Sequence, residues 1–236
     1  MILLVMTIIV ILILFSTCGK NSEKTSSQST GQVSTSNEVY SLISDNAYEE
    51  SENVNGKRFN TTLLEFTERY NESKRALGEN DLVMSGNWRK NGEETVDDNG
   101  VKIQYYYYDD ENVNFTATVE VESKKILNIG CGTTMNNFMM HTDEVNNSEI
   151  ILKKAALMAQ SVCQFKIDNT NILQDVFYKT TTDKNDTLWY QGCVYKLSTQ
   201  EDRDDSKNNI MLFRVFPISE SLKQEWKLTE YESIAD

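Results

Sequence analysis

The chain has 236 residues, with 23 Lys plus Arg against 36 Asp plus Glu, and so a formal net charge of −13. An apolar content of 39 % with 10 % aromatic residues is enough to build a core, which excludes disorder throughout. The acidic balance argues against nucleic acid as a partner and against attachment to anionic lipid through a basic patch, since both draw on a basic footprint of Lys and Arg.

Residues 1–15 read MILLVMTIIVILILF, apolar apart from Thr7 and free of charge. As a helix this run reaches about 22 Å, short of the roughly 30 Å hydrocarbon core of a bilayer. It has the character of the apolar region of an export signal, so 1–17 is expected to be a signal peptide. The run ends in Phe15-Ser16-Thr17-Cys18, after which Gly19-Lys20 opens polar sequence. An apolar leader ending in small residues and a Cys resembles the lipobox of bacterial lipoproteins. The resemblance covers the targeting segment alone. It implies that Cys18 is acylated and becomes the mature N-terminus, and that the protein sits on the extracytoplasmic face of the cell membrane through a lipid anchor. The alternative on the same residues is an uncleaved N-terminal anchor with Cys18 unmodified, which exports the same domain.

From 18 to 57 the chain is dominated by Ser, Thr, Asn, Gln and Glu. Such composition cannot bury enough apolar surface to offset chain entropy, and a flexible tether is expected, with a root-mean-square reach of roughly 35 Å.

The folded body is expected over 58–236, starting at Phe59. Asn60 can cap a helix with apolar positions Leu63, Phe66, Tyr70 and Leu77 and with Gly78 as its stop; Phe59 and Leu64 hold the positions of a hydrophobic staple. Strand signals follow at Leu82 to Lys90, Val101 to Tyr108, Val113 to Val121 and Ile126 to Cys131, joined by short turns as in an antiparallel meander. Gly130-Cys131-Gly132 reads as the close of the last of these. The pattern then restarts. A second helix, capped by Asn147 or Ser148, runs through Ile151, Ala155, Met158, Ala159 and Val162. Strands are expected at Ile172 to Lys179, Leu188 to Leu197 and Ile210 to Phe216, the last ended by Pro217. Ser221 and Gln224 suit a capping box for a short terminal helix carrying Leu222 and Trp226.

Runs of antiparallel strands broken by single helices define an α+β class, with helices on one face of the sheet and the other face partly open. The order also fits two tandem helix-plus-meander units, 58–140 and 141–236. That layout is similar in pattern to tandem helix–sheet binding modules such as the β-lactamase inhibitor proteins.

Catalytic signatures are sparse. His141 is the single His, which excludes two-histidine zinc motifs, and its setting in Met140-His141-Thr142-Asp143 reads as a polar loop. Nucleophile elbows, S-x-x-K acyl-enzyme pairs and glycine-rich phosphate loops do not occur. Cys131, Cys163 and Cys193 lack C-x-x-C spacing and are expected to be buried small hydrophobes, with a disulfide between two of them as the alternative. Acidic clusters at Asp97-Asp98, Asp109-Asp110-Glu111, Asp183 to Asp186 and Glu201 to Asp205 lack calcium-loop spacing and read as turns. No metal and no cofactor is expected.

The conspicuous surface signal is the run Tyr105 to Tyr108. Alternation is expected to send Tyr106 and Tyr108 to the open face, there to join Trp189 and Tyr195 in an aromatic patch that binds a ligand. The expected function is a tethered, non-catalytic binding domain for a protein or an envelope polymer. The alternatives are an envelope hydrolase working through carboxylates and a structural envelope protein with no dedicated ligand.

Overall fold

The computed structural model describes residues 48–50, 57–78, 86–110, 113–141, 146–165, 170–182, 186–201 and 209–232. Residues 1–47, with the expected signal peptide and Cys18, lie outside the described residues, as do Leu82 and Met84 of the first expected strand. Contacts divide the chain into Met1–Glu38 and Val39–Asp236, and every described residue falls in the second unit.

The fold is α+β, built on a seven-stranded antiparallel sheet. In spatial order its strands are β3 (Arg89–Val96), β4 (Lys102–Asp109), β5 (Asn114–Glu120), β6 (Ile126–Thr134), β9 (Ile210–Pro217), β8 (Cys193–Gln200) and β7 (Thr187–Tyr190). Two meanders, β3 to β6 and β7 to β9, meet where their last strands pair, from Ile129↔Val215 to Thr134↔Ile210. The two expected units therefore share one continuous sheet. A short hairpin of β1 (Tyr48–Glu50) and β2 (Lys57–Phe59) precedes it, so paired strands begin inside the stretch expected to be tether.

Three longer helices connect and cover the meanders: α1 (Leu63–Ala76), α3 (Asn147–Cys163) and α4 (Thr170–Thr182); α2 (Met135–Phe138) and α5 (Glu220–Glu225) are short. The cap of α1 is Thr62 rather than Asn60, in a reciprocal box with Glu65. The expected staple does not form, because Phe59 is buried in the main core while Leu64 is exposed. α3 is flanked by α1 and α4 and lies over β6, and α4 lies over β8. This central placement is why α3 is buried on nearly every side, including Ile151, Ala155, Met158, Ala159 and Val162, the positions its sequence periodicity marks. Gln160 ties the three helices together: its amide nitrogen donates to Ser73 of α1 at 3.0 Å, and its carbonyl oxygen accepts from the hydroxyl of Thr170 in α4.

The segment expected as a strand at Ile172 to Lys179 is helix α4. Its buried residues Leu173, Val176, Phe177 and Thr180 repeat at helical spacing, and their burial against β8 outweighs the strand preference of Ile, Val and Phe. The stretch Leu188 to Leu197 is two strands. Gln191 and Gly192 both have positive φ, 46° and 80°, the backbone that a two-residue hairpin turn requires. Asn91-Gly92 is not a loop but part of β3, at a bulge between Asn91 and Thr95, where the amide of Gln104 donates to both the Asn91 and Gly92 carbonyls. Gly130 and Gly132 lie mid-strand in β6, not at its close. A Cβ on Gly130 would stand 2.9 Å from the Phe213 carbonyl oxygen, so glycine permits the close approach of β6 and β9.

Candidate functional site: the face of the sheet opposite the helices

Alternation assigns one face to the helices. Phe115, Ala117 and Val119 of β5, Ile129 and Cys131 of β6, and Met211, Phe213 and Val215 of β9 are buried there, with Phe213 edge-on to Phe177 of α4 at 5.7 Å between centroids. Tyr106 and Tyr108 pair with Ala117 and Phe115, so both point into this core face and are half-buried against it. This corrects the expected parity of the tyrosine run. Val101 and Ile103 are buried but lie outside the main core, on the opposite side. Apolarity alone therefore misidentifies the helix-covered side of β4.

The other two expected patch residues do not join Tyr106 and Tyr108 in an open aromatic patch either. Tyr195 is fully buried on the core face, 5.3 Å from Phe177. Burial, followed by the neighbouring Cys163 and Cys193 thiols, holds its phenol well above the ordinary range. Trp189 does lie opposite the helices, but the C-terminal segment covers it. Its backbone pairs with Thr229 and Tyr231, and the Lys223 ammonium of α5 sits 3.4 Å from its ring centroid.

What this face presents is a different set. One cross-strand row crosses all seven strands: Arg89, Tyr107, Thr116, Gly130, Arg214, Lys196 and Thr187. Tyr105, at 44 % exposure, stands beside it with Thr118 and Asn128. The Arg89 guanidinium lies 5.2 Å from the Tyr107 ring centroid and bonds Asp109 at 2.9 Å. In the middle of the row Thr116 is small and Gly130 has no side chain, while Arg214 and Leu212 lean in over Gly130 from β9. The result is a shallow strip with cations at both ends, Arg89 and Arg214 being about 19 Å apart across four strand spacings. At the Glu120 end the face closes, where Arg58 bonds the buried Glu120 carboxylate at 3.0 Å.

The electrostatics of the strip run against the rest of the chain. Arg214 and Lys196 are directly opposed across the β8–β9 ladder, a position where like charges repel and destabilise the pair of strands. Neither is in an ion pair among the described residues, although the chain has 36 Asp plus Glu. The sequence holds a trace of this signal: Arg214 and Lys196 interrupt the otherwise apolar strands Phe213 to Phe216 and Val194 to Leu197.

The cysteines, His141 and Asp97 do not form a reactive centre with this strip. Cys131 is buried, and burial pushes its thiol up to about 12, so it carries no thiolate at neutral pH. Cys163 is likewise held well above its ordinary value, by burial and then by Cys193. His141 is exposed in an isolated bridge with Asn146. Asp97 does turn work, its carboxylate accepting from the Asn99 and Val101 amides at 2.9 and 2.8 Å. Among the described residues no three His, Cys, Asp or Glu side chains are grouped to hold a metal, and no helix is long and apolar enough to cross a membrane.

No protein-family model matches this chain, and no curated protein and no solved structure matches it either.

Proposed function

We propose that this is an exported, lipid-anchored protein whose domain binds an anionic polymer of the cell envelope on the sheet face opposite the helices. The observation that carries the reading is the row from Arg89 to Lys196. It sets side by side two cations that have no ion pair among the described residues, with the half-buried Tyr107 in the row and the exposed Tyr105 beside it, in a chain of net charge −13. A repulsive cationic pair is retained at some cost in strand stability, and an anionic ligand relieves that cost on binding. Tyrosine adds contact area with little loss of side-chain freedom, which suits a flat strip better than a deep pocket. The export part rests on the leader and on Cys18, which the lipobox resemblance makes the point of acylation; the binding part does not depend on it.

The reading is tested with the purified full chain and two probes, soluble polyphosphate and uncharged dextran. Polyphosphate is expected to bind and to weaken as salt rises, and dextran is not expected to bind. Arg214→Glu with Lys196→Glu is expected to weaken polyphosphate binding by about a hundredfold, near tenfold for each charge-assisted hydrogen bond removed. Binding that the double variant leaves unchanged, or no binding at low salt, would overturn the assignment of this face.

A further inference from the structure

The last residue of α3 and the first residue of β8 bring two thiols together in the core. Cys163 Sγ and Cys193 Sγ are 3.6 Å apart, both side chains are essentially inaccessible, and the third thiol of the body, Cys131, belongs to a different strand. A disulfide bond is about 2.05 Å long, so the sulfurs need to close by about 1.6 Å, a distance within reach of small χ1 rotations. Both attachment points are fixed by packing: α3 is clamped between α1 and α4, and Cys193 pairs with Tyr190 and Pro217 in the ladder.

We infer that Cys163 and Cys193 form a disulfide in the exported protein, joining the central helix to the second meander. The inference rests on the export reading, because a disulfide persists where the surroundings are oxidising. In the balanced reaction the two thiols give up two protons and two electrons to a disulfide-bearing oxidant outside the membrane. One thiolate attacks the oxidant and releases its first thiol, and the second thiolate then displaces the other, leaving one new S–S bond and two reduced thiols on the oxidant. The folded core blocks both steps, since neither sulfur is accessible and burial keeps Cys163 protonated. Oxidation therefore precedes closure of the core, on the chain as it emerges, and the finished bond is shielded from reductants. Cys131 is left as a buried thiol.

The experiment maps peptides of the protein isolated from the cell envelope, alkylated under denaturing conditions without reductant, and reads the N-terminus in the same mass spectrum. The same mapping is applied to recombinant chain refolded with glutathione disulfide. The expected result is a linked peptide pair holding Cys163 and Cys193 in both samples, alkylated Cys131, and an acylated Cys18. Reduction of the unfolded chain, followed by refolding without oxidant, is expected to lower the melting temperature by roughly 5–10 °C, while Cys131→Ala leaves the linkage intact. Acylated Cys18 with both thiols alkylated would overturn the pairing itself. An unmodified N-terminal Met with free thiols in the cell-derived protein, but a linked pair in the refolded one, would overturn the proposal through the export reading while upholding the geometry.

Discussion

Phe213→Ala is expected to remove about 3–5 kcal/mol of stability, the usual loss when a large aromatic leaves a packed core. Phe213 sits at the junction of the two meanders. It pairs with Cys131 on β6 and with Leu197 on β8, and its ring packs on Phe138 of α2 at 5.9 Å and on Phe177 of α4 at 5.7 Å. Those neighbours come from four separate elements, each held by its own ladder or helix packing, so they cannot collapse into the space left behind. For a domain of this size the loss lowers the melting temperature by roughly 10 °C. Leu212→Ala is the matched control, one residue away and on the opposite, half-exposed face, with an expected cost near 1 kcal/mol. Thermal and urea unfolding of the two variants check the difference. Equal losses would mean that the sheet has no distinct core face.

Asp110→Ala is expected to cost about 3–5 kcal/mol by another route. Lys154, in the middle of α3, sends its ammonium to Asp110 in the β4–β5 turn at 2.7 Å, with only 8 % and 12 % of the two side chains exposed. Removing the carboxylate strands a cation between the helix and the sheet, which is far more costly than losing an exposed pair. The double variant Asp110→Ala with Lys154→Met removes the stranded charge as well and is expected to regain most of the loss. A double-mutant cycle by urea unfolding measures the coupling. Additive losses would show that the two groups do not act as a pair.

Local patterns in the chain carried much of the fold. α1, α3, β4, β5 and β9 follow from periodicity, and the antiparallel meanders with helices between them follow from element order. Other elements depend on information the chain does not hold locally. β3 is exposed at all eight positions and has no alternation to detect. α4 is rich in residues that favour strands, and its packing against α3 and β8 makes it a helix. The hairpin between β7 and β8 rests on two positive-φ residues inside one apolar run. For the site, the aromatic run was visible but its facing was not, because β4 buries Ile103 on the side away from the helices and leaves Tyr106 and Tyr108 only half-buried against the core, so tertiary packing decides the face. The cationic row was less visible still. It joins residues from seven strands, and the register of β6 on β9 that aligns Gly130 with Arg214 brings together parts of the chain far apart in sequence.

The assignment of the binding face is tested most directly by placing a photoreactive benzophenone side chain at Tyr107 or at Tyr106 and irradiating cells that carry each variant. These neighbours point to opposite faces of β4, Tyr107 beside Arg89 and Tyr106 against the core. Position 107 is expected to cross-link to a phosphate- or uronate-bearing polymer of the envelope, and position 106 to produce only intramolecular products. Polymer cross-links from 106, or none from 107, would contradict the claim that the face away from the helices is where this protein meets its partner.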